Sequence, residues 1–191
     1  MHRTSDPLSA LLAHNLWATR LILDLCRSLP DEQFRRPFPI GPGDRGGLCA
    51  IVTHIIGAMR RWADRIAARP VRAPIEPWRP GYQPRPPYSI DELLALLADA
   101  HQDLTHVIDA VHAEGEPALA RIVTLQFAQP AGAPPQPPHT FTTGACIASA
   151  AVHGHYHRAQ CMNILRQLNV PGVSDKLPSL DVIDWQQSQE P

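Results

Sequence analysis

Apolar residues recur at three- and four-residue spacing in four stretches of this chain, separated by clusters of proline. The first stretch, residues 7–29, sets Leu8, Leu12, Ile22, Cys26 and Leu29 near one stripe. Pro7 suits a first helical turn and Pro30 ends the pattern. The second, residues 47–68, carries Leu48, Ile51, Val52, Ile55, Met59, Trp62 and Ile66 on one face and stops at Pro70. The third opens with Ser89-Ile90-Asp91-Glu92, in which the serine and the glutamate can satisfy each other's free backbone N–H groups. Leu93, Leu97, Leu104, Ile108 and Val111 continue it, and Gly115 with Pro117 closes it. The fourth runs over residues 142–168.

The intervening segments read differently. Residues 70–88 hold seven prolines and almost no periodicity, which predicts an extended connection (69–88) over the surface. Arg121 to Phe127 alternates polar and apolar, as does the stretch around Phe141, and the Pro-rich turn 130–138 between them could join a small β-hairpin before the fourth helix. A tail over 171–191 offers Leu180, Ile183 and Trp185 to pack back onto the body. Four helices, each with one apolar face, bury themselves most simply as an all-α four-helix bundle. The long connection between the second and third allows a crossover. At 191 residues the chain is expected to form a single domain, 1–191.

Charge and cysteine content narrow the class. The formal net charge is −1 and no basic block appears, so the footprint of a nucleic-acid binder is missing. Arg3, Asp6, Arg20, Asp24 and Arg27 interrupt the first apolar pattern, which resembles neither a signal peptide nor a membrane span. Cys26, Cys49, Cys146 and Cys161 form no C-x-x-C pair and read as buried free thiols of a cytoplasmic protein.

The fourth stretch carries the chemistry, in the run His153-Gly154-His155-Tyr156-His157-Arg158-Ala159-Gln160. On a helix, residues four apart lie about 40° apart around the axis and one turn apart along it, so His153 and His157 can reach one cation. Cys146, Ala150, Gln160 and Ile164 share their face, whereas His155 falls about 200° from His153 and points elsewhere. Buried imidazoles need partners, and a divalent metal is one; hydrogen-bonded neighbours are the other. A third ligand must come from another helix. His54 flanks the apolar stripe of the second helix, and His101 lies between Leu97 and Leu104 on the third. Periodicity does not choose between them. His14, His106 and His112 look solvent-facing, and His2 and His139 fall in a terminus and a loop. Trp17 and Trp62 read as packing residues.

Three patches resemble the DinB/YfiT-like superfamily of metal-binding four-helix bundles. They are Asn15-Leu16-Trp17-Ala18 leading to Leu29-Pro30-Asp31-Glu32, Val52-Thr53-His54-Ile55 followed by Trp62, and His153-x-x-x-His157-Arg158-x-Gln160 followed by Ile164-Leu165-Arg166. The resemblance implies that His54, His153 and His157 bind one divalent metal ion, with zinc or nickel foremost and iron or manganese as further choices. It also implies a homodimer, and a site at which a low-molecular-weight thiol can be activated. The segments 70–88 and 130–138 look longer than a minimal member needs and are expected to shape the mouth of the pocket.

Three neutral histidines leave a metal its charge and open positions. Gly154 occupies the place where an H-E-x-x-H motif has its glutamate, and the fourth helix has no carboxylate between Thr142 and Leu168. The site therefore reads as one without a helix-borne base. Arg158 is a candidate to orient an anionic substrate group or to form an interhelical ion pair, and Gln160 to fix the tautomer of a ligating ring. The expected function is a metal-dependent enzyme acting on a small molecule, S-transferase-like or hydrolase-like. The alternative is a non-catalytic or stress-related bundle whose metal is structural.

Overall fold

The side chain of Asp6 accepts a hydrogen bond from the Ser9 backbone N–H at 2.7 Å, and with Pro7 in the first turn this starts helix α1, Pro7–Cys26. The chain is described by a computed structural model covering residues 6–40, 46–126, 134 and 136–189. Helix α1 ends at Cys26, ahead of Pro30, which is the N-cap of a short second helix not expected from the apolar pattern, α2, Asp31–Arg35, with Asp31 and Glu32 in its first turn. Helix α3, Leu48–Ile66, and helix α4, Ile90–Glu114, follow. The cap of α4 forms as expected: Ser89 N–H donates to Glu92 Oε2 at 2.8 Å and Glu92 N–H donates to Ser89 Oγ at 3.2 Å. Gly115, at φ 80°, ends α4, and a single turn, α5 (Glu116–Leu119), precedes the strands.

Strands β1 (Ile122–Leu125) and β2 (His139–Thr142) pair antiparallel, with Val123 opposite Phe141. Most of the turn expected at 130–138 lies outside the described residues, as does His2. Thr142 caps α6, Thr143–Leu168, which ends on Asn169 in the left-handed region. A 3₁₀ turn at Ser174–Lys176 and helix α7, Val182–Ser188, complete the described chain.

The chain is mostly helical, and its four long helices share one core: α3 packs on α4 and α6, and α1 packs on the same two. Ile22, Leu23, Leu48, Ile55, Ile56, Leu93, Leu97, Leu104, Ile108 and Ile164 are fully buried in it. Each such side chain contributes about 1.5–3 kcal/mol over leaving it in water. Arg35 fixes how α3 and α4 align. Its Nη1 reaches Cys49 Sγ at 3.6 Å and its Nη2 donates to the Tyr88 carbonyl at 3.2 Å, so the two helices start side by side. At the far end, Arg72 Nη2 donates to Asp103 Oδ2 at 2.6 Å. The helices run in the same direction, and the connection between them must travel back along their length.

That connection does not stay on the surface. Ile75 is buried and Glu76 is 0 % exposed, so the middle of the segment is inserted into the body. The tail also differs in detail from expectation. Trp185 is buried and Leu180 half-buried, but Ile183 stays exposed. His14, read as solvent-facing, is buried: its Nε2 lies 2.9 Å from the Leu180 carbonyl and its ring sits between Trp17 and Trp185. The tail covers a surface that the pattern of α1 alone leaves open. No helix among the described residues is long and apolar enough to cross a membrane.

Candidate metal centre

Helix α6 delivers two histidines on one face, as its period requires. The rings of His153 and His157 have centroids 4.6 Å apart, and His155 is exposed on the other side. The packing of α3 against α6 brings in the third: the His54 ring lies 5.1 Å from His153 and 4.7 Å from His157. One ring nitrogen from each of the three lies within 4.8 Å of the others. His101 is not among them. It sits on α4, which packs on α3 and α1, and its Nδ1 is buried without a partner among the described residues.

Burial works against a charge on the two α6 rings. Burial, together with the neighbouring His157 and His54 and the guanidinium groups of Arg61 and Arg79, pushes His153 down to about 3. Burial also lowers His157, with a hydrogen bond to Gln160 working against it. A neutral imidazole offers a lone pair, which is the form a metal takes. Two rings have one nitrogen already engaged. Protonated His157 Nδ1 donates to Gln160 Oε1 at 2.8 Å, and protonated His54 Nδ1 donates to Glu76 Oε1 at 3.2 Å. Their Nε2 atoms are thereby left as the acceptors. Three half-buried imidazoles with convergent nitrogens, two of them oriented through the opposite nitrogen, fit a divalent ion that favours nitrogen ligands.

Gln160 thus holds a tautomer, in line with its sequence position. Arg158 lies away from the histidine cluster. It is 2 % exposed and turned toward α1, where its Nη1 donates to Asn15 Oδ1 and, at 3.3 Å, to Thr19 Oγ1. Among the described residues it pairs with no acid; it ties α6 to α1. Burial brings it down to about 10. Gly154 serves the same junction, because a Cβ there would stand 2.3 Å from Asn15 Oδ1 and 2.6 Å from Arg158 Nη1. The glycine that displaces a catalytic glutamate from the motif is therefore a packing requirement.

A carboxylate does reach the site, from a segment the periodicity could not place. Glu76 receives His54 Nδ1, Arg79 Nε at 3.0 Å and Arg61 Nη1 at 2.7 Å. Burial works to raise its pKa, but these three donors outweigh it and bring the group down to about 2. Glu76 is a fixed anion rather than a proton acceptor. Two signals in the sequence pointed to it: it is the only acid between Asp64 and Asp91, and Gly57 stands three residues after His54 on α3. Residues 15–161 match the sequence profile of the DinB superfamily. No curated protein matches the chain.

Proposed function

The chain belongs to the DinB superfamily, and on that premise we propose that it is a four-helix bundle of DinB/YfiT type holding one divalent metal, zinc or nickel foremost, on His54, His153 and His157. We read it as a metal-dependent enzyme for a small molecule, S-transferase-like with a low-molecular-weight thiol or hydrolase-like. The observation that carries this reading is the convergence of three imidazole nitrogens within 4.8 Å with no fourth protein ligand among the described residues. Structural zinc sites normally have four.

When bound, a divalent ion supplies Lewis acidity and lowers the pKa of a water or thiol in its open positions. The protein does the rest. Glu76 and Gln160 hold the rings of His54 and His157 in one tautomer and one orientation. Because Glu76 is engaged by three donors, it would not serve as the proton acceptor for a water or thiol activated at the site. The free state of Cys26, Cys49, Cys146 and Cys161 supports a reducing cytoplasm as the place of action. The homodimer is carried from the resemblance.

Elemental analysis of the purified protein tests the centre. One equivalent of metal is expected, lost in each of His54→Ala, His153→Ala and His157→Ala and kept in His101→Ala. Retention of a full equivalent in His54→Ala contradicts the ligand set. Turnover of an electrophile with biological thiols by the loaded protein then tests the enzyme reading, and no turnover with any of them counts against it.

A further inference from the structure

Arg79 is outside the ligand set yet shares its support. Its Nε donates at 3.0 Å to Glu76 Oε1, the same oxygen that faces His54 Nδ1 at 3.2 Å. One carboxylate oxygen therefore positions both a metal-ligand candidate and a guanidinium. The backbone reinforces this: Arg79 N–H donates to the Glu76 carbonyl at 3.1 Å and its own carbonyl accepts from Tyr82 N–H at 3.2 Å, which sets the residue in a turn.

The rest of the guanidinium is unused. An arginine has five N–H donors in a planar fork, and the Nη groups of Arg79 bond to no protein atom among the described residues. Its side chain is 35 % exposed, whereas Arg61 on the same carboxylate is 10 % exposed and serves the interior. The charges do not cancel. Two guanidinium groups share one carboxylate, and no other acid pairs with either among the described residues. Arg79 lies close enough to lower His153, after burial, the two other histidines and Arg61. A surplus cation with a fixed plane and a free edge is a receptor for a planar oxyanion.

We propose that Arg79 determines specificity at the three-histidine centre by binding the carboxylate, or a similar oxyanion, of the substrate through its free Nη edge. The substrate class is a small molecule with an anionic group a few atoms from the one that reaches the metal. The proposal rests on the metal reading above, and the experiment separates the two.

The test uses the full chain loaded with cobalt, whose thiolate charge-transfer band reports sulfur binding. Mercaptoacetate and 2-mercaptoethanol are titrated in turn, one with a carboxylate and one neutral. The wild-type ratio of their affinities is expected to fall about tenfold in Arg79→Gln, the order of one charge-assisted hydrogen-bonded contact, with cobalt stoichiometry and 2-mercaptoethanol affinity unchanged. An unchanged ratio in a variant that still binds cobalt overturns the proposal and leaves the metal reading standing. Should Arg79→Gln lose cobalt, Arg79→Lys keeps the charge beside Glu76 but not the fork; a preference equal to wild type there overturns the proposal. If the wild type takes up no cobalt, the metal reading fails and the proposal falls with it.

Discussion

A Cβ added to Gly57 would stand 2.4 Å from Glu76 Oε2, so the glycine of α3 is the space in which the carboxylate of the α3–α4 connection sits. The contact joins a helix residue to a residue of an aperiodic segment, and it decides the sign of a substitution. In a helix interior, glycine to alanine normally gains about 1 kcal/mol. Here the carboxylate is held by Arg61, Arg79 and His54 and cannot turn aside without losing them. Gly57→Ala is expected to lower the melting temperature and weaken zinc binding about tenfold. Thermal denaturation and competition with a chromogenic chelator check both; a stabilised variant with unchanged affinity contradicts the packing described.

Glu76→Gln keeps the shape and removes the charge. The amide oxygen can still accept from His54, but Arg61 is left buried without an anion. Breaking a buried pair from one side costs about 3–5 kcal/mol, so stability should suffer more than the geometry of His54 does. Glu76→Ala removes the acceptor as well and should weaken zinc binding by about 10- to 100-fold. Urea denaturation alongside zinc titration separates the effects: equal zinc affinity in the two variants would show that Glu76 does not orient the ring.

Arg158 and Asn15 make a second pair of unequal substitutions. Asn15→Ala leaves a guanidinium that is 2 % exposed with Thr19 as its hydrogen-bond partner. Arg158→Met removes the charge and leaves an amide oxygen unpaired, a cost of about 1–3 kcal/mol. Asn15→Ala is expected to be the more destabilising in urea, with metal stoichiometry retained in both. The reverse order would mean that Arg158 is stabilised by more than this bond.

Asp64 makes acid sensitivity predictable. Burial alone would raise its carboxyl, but the Arg72 backbone N–H and the Arg69 and Arg72 side chains hold it below its ordinary value. A depressed folded-state pKa contributes stability that is present above the unfolded value, about 3.9, and is lost as the pH falls through the folded value. The stability difference between wild type and Asp64→Asn should therefore be largest near neutrality and shrink toward pH 3. Urea midpoints at pH 6 and pH 3 measure it, and a difference that grows on acidification has the wrong sign.

The long helices were legible because each buries one stripe, and the α4 cap because Ser89 and Glu92 are local partners. His153 and His157 followed from the period of one helix. The choice between His54 and His101 did not, since it depends on which helix packs against α6, a tertiary fact that no stripe encodes. Arg158 was misplaced for a related reason: its neighbour is Asn15, 143 residues away. His14 was misread because the tail that covers it has little pattern of its own. Glu76 escaped because a proline-rich segment has no face; only its being the sole acid between Asp64 and Asp91, and the glycine at position 57, hint at it, and neither is a periodic signal.

The parallel course of α3 and α4 has a further consequence. A connection between parallel neighbours must span their length, so the topology obliges the chain to lay more than twenty residues past the histidines before α4 can begin. Those residues contribute no helix to the core, yet one of them holds the His54 ring and another sets a guanidinium beside it. On the reading proposed above, selectivity and scaffold are thereby written in different stretches of the chain. The segment is a natural cassette: exchanging it while keeping Ile75 and Glu76 should change which molecules the site accepts and leave the helices and their histidines in place.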